Sequence, residues 1–386
     1  MTGYNVQPQQ PRLNYRRQKL ARQYARLMTR LSLVQSTVVA TIFLVLLFGG
    51  FSVKLSRFLA FPQPWASALY FIILVVGLGI ILMPLQYYQG FILPHRFNLS
   101  HQTFTSWLAD RGKAGALSFL LGLVLIIVVY WLLQYLPGSW WLWVAMVLVL
   151  VSLLLSRLTP TLLLGMFYKL EPLADKKLKE RLMNLAKRAG APLLGVFTMD
   201  LSSKSTTANA MLAGLGRTRR IVLTDTLLEK YSPDEVEVVL AHELGHHIHK
   251  DVPKLITVQA AMIFAGLYSA NLVLRASLIP FGFNGVADAA ALPLLFLTVA
   301  VLTMMLTPLT NTYSRHIEAA ADEAAIELTD KPQAFISAMT RLTNQNLSVA
   351  NPSRWVELLF YDHPSYTKRV NSARRNTLKL VKEATD

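Results

Sequence analysis

"AHELGHHIHK", residues 241–250, gathers four histidines and a glutamate in a chain whose composition is otherwise that of a membrane protein. The stretch belongs to "SPDEVEVVLAHELGHHIHK", residues 232–250, which carries the punctuation of a helix. Ser232 stands at the N-cap, Pro233 at the first helical position, and Glu235 closes a capping box. On such a helix His242 and His246 project from one face, one turn apart, and Glu243 can reach the same side. This is the H-E-x-x-H pattern, in which two histidines bind zinc and the glutamate acts on water at the metal. His247 and His249 point elsewhere, to solvent or packing. The ordinary alternative is a helix that merely happens to be rich in histidine; the helical context and the glutamate favour zinc.

Working outward, 53 % of the 386 residues are hydrophobic and only 16 % are charged, against about 25 % charged in a soluble domain. Six apolar stretches, near 33–53, 65–86, 115–136, 140–156, 255–274 and 289–310, approach the roughly 20 residues that a helix needs to cross a bilayer. Arg157 and Pro160 interrupt the fourth, which reads as a kinked helix continuing past the interface. Trp140, Trp141 and Trp143 suit an interfacial belt at its start. The formal charge of +16 fits lysines and arginines gathered beside spans and anionic lipid, not a nucleic-acid partner. The loops 54–64, 137–139 and 275–288 hold only Lys54, Arg57 and Arg275, so both termini are expected in the cytoplasm. Cysteine is absent, which leaves histidines and carboxylates as metal ligands. No cleavable signal peptide is evident.

The expected organisation follows. Residues 1–32 form a basic N-terminal segment, polar and disordered over 1–10, and 33–165 hold four spans. Residues 166–254 and 311–386 are two halves of a cytoplasmic domain, separated by two further spans within 255–310. The first half opens with a charged helical pattern, "EPLADKKLKERLMNLAKRAG", ended by Gly190 as C-cap. Two short β-prone runs around "TTANAMLAG" and "RRIVLTD", joined by "LGRT", read as a hairpin.

Catalytic zinc usually has three protein ligands and an open position. The candidate third ligand is Glu318 in "SRHIEAAADEAA", where Glu318 and Asp322 share a helical face. An acidic face in water is the usual reading of such a pair, but topology opposes it. Two crossings separate His246 from Glu318, and an even number returns the chain to the side it left. A zinc ion held by His242, His246 and Glu318 lowers the pKa of water as fourth ligand toward about 7. Glu243 then serves as general base, and Asp322 orients a ligand histidine or holds a nearby arginine.

"AHELGHH" and "SRHIEAAAD" together resemble the integral-membrane zinc endopeptidases of the type I CAAX prenyl protease family. "YYQGFILPHRFNLSHQTFTSWLADRGK", "STTANAMLAGLGRTRRIVLTDTLL" and "DHPSYTKRV" are also similar to that family's pattern, so the likeness spans nearly the whole chain from about residue 20. The resemblance implies a mainly α, polytopic fold: about six spans enclosing a chamber, with a cytoplasmic gluzincin-type α+β domain. It implies one Zn2+ per chain on His242, His246 and Glu318, with Glu243 catalytic. It further implies substrate binding at an edge strand by Asn209 and Ala210, an oxyanion-stabilising His363, and Arg369 bracing Asp322. Better-known members carry one more span before the basic segment, and the compact length suggests a prokaryotic relative in the cell's inner membrane. The expected partners are a polypeptide substrate and the bilayer. Within the enzyme class the alternative is a heat-shock-type quality-control protease; outside it, a transporter or receptor with structural zinc.

Overall fold

The computed structural model describes residues 11–59, 61–158, 163–214 and 219–383, with side chains to residue 376. The basic segment and the first apolar run form one helix, α1 (Tyr15–Phe48), started by Asn14, whose side chain accepts the Arg17 N–H. The span ends earlier than its hydrophobicity does. Gly50 takes a φ of 69°, a left-handed turn that favours glycine, and the chain restarts as the short α2 (Phe51–Phe58). Next, α3 (Trp65–Tyr87) passes through a π turn, Tyr88–Ile92, into α4 (Leu93–Arg96). Capped by Thr103, α5 (Phe104–Tyr135) begins well before its apolar part, and α6 (Trp140–Leu158) follows.

The Pro160 kink and the polar start at 1–10 lie outside the described residues. Trp140 corrects the interfacial reading: it is 1 % exposed and donates its indole N–H to Asn271 Oδ1 at 2.9 Å. Asn271 is therefore an interhelical glue residue, as polar groups between spans often are.

After α7 (Leu164–Phe167) the chain leaves the apolar helices. "EP", expected at a helix start, instead belongs to strand β1 (Leu170–Pro172), and α8 (Lys176–Arg188) begins after an Asp175 cap. Gly190, at φ 66°, ends the helix as expected. The sheet is larger than the predicted hairpin. β2 (Val196–Met199), β3 (Ala210–Ala213) and β4 (Arg220–Thr224) complete four strands in the order β1-β2-β4-β3. β3 and β4 pair antiparallel, β2 and β4 parallel, β1 and β2 antiparallel. The "LGRT" turn lies outside the described residues. β2 escaped the sequence reading because "VFTM" is four residues long and alternates weakly.

The remaining elements are helices. They are α9 (Asp225–Lys230), α10 (Pro233–Ile248), α11 (Asp251–Ala276), α12 (Leu278–Phe281), α13 (Leu292–Thr329), α14 (Pro332–Gln345), α15 (Arg354–Phe360) and α16 (Tyr366–Glu383). The capping box of α10 is present, with Ser232 and Glu235 bonded reciprocally at 3.3 and 2.7 Å. One apolar core joins α8, the sheet, α10, α14 and α16 around Leu182, Ile221, Leu240 and Phe335. A second joins the apolar helices around Tyr70, Tyr130, Leu133 and Leu274. Among the described residues six helices are long and apolar enough to cross a membrane: those beginning at Tyr15, Trp65, Phe104, Trp140, Asp251 and Ala289. The last of them does not stop at the membrane. α13 runs unbroken through Pro308 to Thr329, which carries Glu318 about 12 Å past residue 310 at 1.5 Å per residue.

Candidate metal centre

Two helices make the site, and small residues set their spacing. α10 crosses α13 at Gly245, where an added Cβ would stand 3.0 Å from both Cα and O of Ala321 and 3.1 Å from Cβ of Ala324. "HELGHH" thus lies directly against "EAAADEAA", and the candidate ligand residues of both segments meet. One donor atom from each of His242, His246 and Glu318 lies within 4.8 Å of the others. His242 Nε2 is 3.2 Å from Glu318 Oε2, and His246 Nε2 is 3.4 Å from Glu318 Oε1. The expected trio is brought together.

Each imidazole has a carboxylate behind it. His242 Nδ1 is 2.9 Å from Asp322 Oδ1, and His246 Nδ1 is 3.1 Å from Asp251 Oδ2. A ring that donates its Nδ1–H to a carboxylate presents the Nε2 lone pair on the other side, as a metal ligand must. Asp322 also takes two bonds from Arg369, Nε to Oδ2 at 2.8 Å and Nη2 to Oδ1 at 2.5 Å. The structure places Asp322 against both a histidine and an arginine, the two kinds of partner expected for it. The sequence reading missed Asp251, which stands five residues beyond His246 at the start of the next helix; an acidic first-turn residue there looks like an ordinary helix start.

The residues present fit a divalent cation. Glu318 Oε2 is buried and has no hydrogen-bond partner, although His242 Nε2 is close by. With the Nδ1–H given to Asp322, two lone pairs face each other, an arrangement that a positive charge relieves. The His242 ring reports the same demand. Burial pushes its pKa down, but the neighbouring carboxylates of Asp322 and Glu318 more than reverse this and raise it to about 9, so that without a cation the ring takes up a proton instead. One carboxylate oxygen and two imidazole nitrogens are a donor set that a divalent metal ion takes.

Around this trio lies a cleft of about 670 Å³, lined by Leu212, Glu243, His246, His247, Ser314 and Glu318 among others. Glu243 Oε2 is 3.4 Å from the backbone N–H of Leu212 on β3. β3 is a sheet edge, so residues 210 and 212 turn their backbone groups away from β4 in an antiparallel ladder. Asn209 prepares that edge: its backbone pairs with Thr224, and its side-chain oxygen accepts the Ala210 N–H at 2.9 Å. His247 sits at the rim, 3.3 Å from Arg219 Nη1.

His363 enters from the loop between α15 and α16. Its Nε2 is 3.3 Å from Glu318 Oε1, and its Nδ1 is 2.8 Å from Asp362 Oδ1. The Asp362 carboxylate raises its pKa, against partial burial and with help from Glu318. Arg315, one turn before Glu318, anchors this loop by donating to the carbonyls of Glu357 and Tyr361 at 3.0 and 2.6 Å. Buried Glu357 ties the same loop to Ser365 and Lys368. Arg315 was legible only as part of "SRHIE"; nothing in the sequence shows which carbonyls it meets.

Comparison with known proteins gives consistent results. The family model for peptidase family M48 matches residues 172–377. A second model, described as the CAAX prenyl protease N-terminal segment with five membrane helices, matches residues 9–169. An uncharacterised metalloprotease of Bacillus subtilis, YhfN, is 31 % identical over 343 residues, covering 86 % of this chain and 80 % of the relative. CAAX prenyl protease 1 of Saccharomyces cerevisiae is 29 % identical over 330 residues, covering 80 % and 72 % respectively. The crystal structure of S. mikatae Ste24p superposes with a TM-score of 0.82 at 25 % identity, over 94 % of this chain and 90 % of that one.

Proposed function

The chain belongs to peptidase family M48 and is a membrane metalloprotease of the CAAX prenyl protease type; from that premise we propose that it is a zinc endopeptidase that hydrolyses membrane-associated or C-terminal polypeptide segments with Glu243 as general base. One observation carries the reading. Three donors converge within 4.8 Å, with Glu243 on the same helix as two of them and against the edge strand β3. When bound, zinc supplies Lewis acidity, acidifying water and polarising a carbonyl.

The chain's own residues supply the rest. The edge of β3 takes the substrate backbone as an added strand through residues 210 and 212, a mode that gives affinity through main-chain bonds. Asn209 acts there by fixing the edge rather than by reading a side chain. Glu243 takes a proton from the attacking water as the new C–O bond forms, and returns it to the amine nitrogen as the C–N bond breaks. His363, its Nδ1 held beside Asp362, donates from Nε2 to the developing oxyanion. Asp322 and Arg369 keep the His242 ring in its ligating tautomer.

The membrane half supports a chamber. In α1, α6 and α11 only 11 % of the apolar segment is buried inside the protein, so most of those side chains reach lipid or an internal space. The catalytic half and both termini lie on the cytoplasmic side in this reading, from the distribution of Lys and Arg. Because the natural chain has no cysteine, a single cysteine introduced near the start of α1 can test this. It should react with an impermeant thiol reagent only in inverted membranes; reaction in intact cells refutes the orientation.

Glu243→Gln is expected to lower peptide cleavage by about 10²–10⁴-fold, the usual contribution of a general base, while one zinc per chain remains bound. Cleavage that survives this change sinks the catalytic assignment, and zinc in a closed four-ligand site would make it structural. A panel of prenylated peptides, unprenylated peptides and misfolded membrane proteins separates a tail-processing protease from a quality-control one.

A further inference from the structure

We propose that Asp251, the first residue of a membrane span, is a positioning residue for the metal: it locks His246 in its ligating tautomer and thereby sets how tightly zinc is held. The inference rests on the zinc reading of the site above.

Asp251 is 2 % exposed, an expensive place for a carboxylate unless it is paired. Its two oxygens have different partners. Oδ2 is 3.1 Å from His246 Nδ1, and Oδ1 is 3.2 Å from Lys254 Nζ. The Lys254 side chain is 49 % exposed, so solvent screens that pair and it does not account for burying the acid. His246 does: its Nδ1 faces Asp251 while its Nε2 faces Glu318. The arrangement repeats, around the second ligand, what Asp322 does for His242.

The chain bends sharply to bring this about. Between α10 and α11, Lys250 adopts φ 54°, a left-handed conformation uncommon for a side chain of this kind. That reversal turns the first residue of α11 back onto the last turn of α10. A span with no ligand of its own thus reaches the metal centre through its N-terminal carboxylate, while α13 brings Glu318 and Asp322. Both spans of the hairpin therefore fix the coordination geometry.

The test is zinc competition against a chelator of known affinity, on the full-length chain in detergent or nanodiscs. Asp251→Asn and Asp251→Ala are expected to weaken zinc binding by about 10–100-fold, the range for partners behind a ligand histidine. Lys254→Ala, which removes only the other bond, should bind as the unaltered chain does. A helix-starting role alone would lower the thermal midpoint of the metal-stripped protein and leave zinc affinity unchanged; that result overturns the inference. Should Asp251→Ala fail to fold, the near-isosteric Asp251→Asn decides. If His246→Ala loses zinc while both Asp251 variants hold it normally, the inference fails and the zinc site stands. If the unaltered chain binds no zinc, the proposed function fails first and takes this inference with it.

Discussion

Helix α13 passes through two environments, and its two halves are specified differently. Along its membrane half, Val301, Met305 and Leu309 form a strip on one face, 45–68 % exposed to surroundings other than protein. Their requirement is apolarity, which many residues satisfy. Past Ser314 the helix is held by protein: Ile317, Glu318, Ala321, Asp322 and Ala325 are all buried. There the requirement is shape and matched charge, which few residues satisfy. The membrane half needs length and hydropathy to be right; the other half needs fitted neighbours. The two halves should therefore respond very differently to substitution.

The largest effect is expected at Asp322→Ala. This removes the partner of Arg369, whose side chain is only 15 % exposed, and of His242. Deleting one member of a buried ion pair costs about 3–5 kcal/mol, because the remaining charge stays buried and unpaired. Thermal unfolding of the metal-stripped protein should report the loss. A shift below about 1 kcal/mol would mean that Arg369 finds water there, and that this half of α13 is as tolerant as the other.

A sharper comparison uses two glycines that face α13 from different helices. Gly245 faces its buried half at Ala321, where a Cβ meets backbone atoms at 3.0 Å that cannot yield cheaply. Gly266 on α11 lines a groove of about 530 Å³ against the membrane half, with Leu302 and Leu306 opposite, and a Cβ there meets nothing within 4 Å. Gly245→Ala should destabilise by about 1–2 kcal/mol, overpacking outweighing the gain in helix propensity. It should also slow cleavage, since it pushes His242 and His246 away from Glu318. Gly266→Ala should have the opposite sign, neutral to stabilising by about 0.5–1 kcal/mol. Equal effects at both positions would erase the distinction between the halves.

The same distinction governs what could be read before the structure. Spans and their number were legible because a bilayer imposes about 20 apolar residues whatever the partners are. His242, Glu243 and His246 were legible because a single helix fixes their spacing, and Glu318 because counting crossings brings it back. The miss at Trp140 follows from the same logic. Three tryptophans at a span end match an interfacial belt, and only the position of Asn271 on another helix reveals that one is core. Asp251, Arg315 and the first two strands were illegible for that reason as well. Each acquires its role from a contact between segments distant in the chain or across a sharp turn, with no period or motif to announce it. Gly50 ended the first span early because a backbone turn overrode a favourable run of side chains.

The smallest effect probes a third environment, the start of α10, where a buried carboxylate meets two partly exposed cations. Glu237 accepts from Arg181 Nη2 at 2.6 Å and from Lys331 Nζ at 2.5 Å, tying α8 and the entry to α14 onto α10. Both cations are about one-third exposed, at 32 % and 33 %, so solvent weakens the network relative to Asp322 and Arg369. Burial of Glu237 opposes its charge, but Arg181 and Lys331 outweigh that and hold its carboxyl below the usual range. A carboxyl lowered in the folded state contributes stability above its unfolded pKa and loses it as pH falls through the folded one. Glu237→Gln should therefore cost about 1–2 kcal/mol at neutral pH, as hydrogen bonds to charged groups do. The gap to the unaltered chain should shrink as pH falls past the unfolded glutamate's ordinary value of about 4.3, and close only below the lower value that Glu237 has in the folded chain. Added salt should narrow it too, because this pair is reached by counterions. The deficit from Asp322→Ala should be far less sensitive to salt. A deficit from Glu237→Gln that persists in acid and in high salt would show that shape, not charge, holds the start of α10, and would place it in the same environment as the buried half of α13.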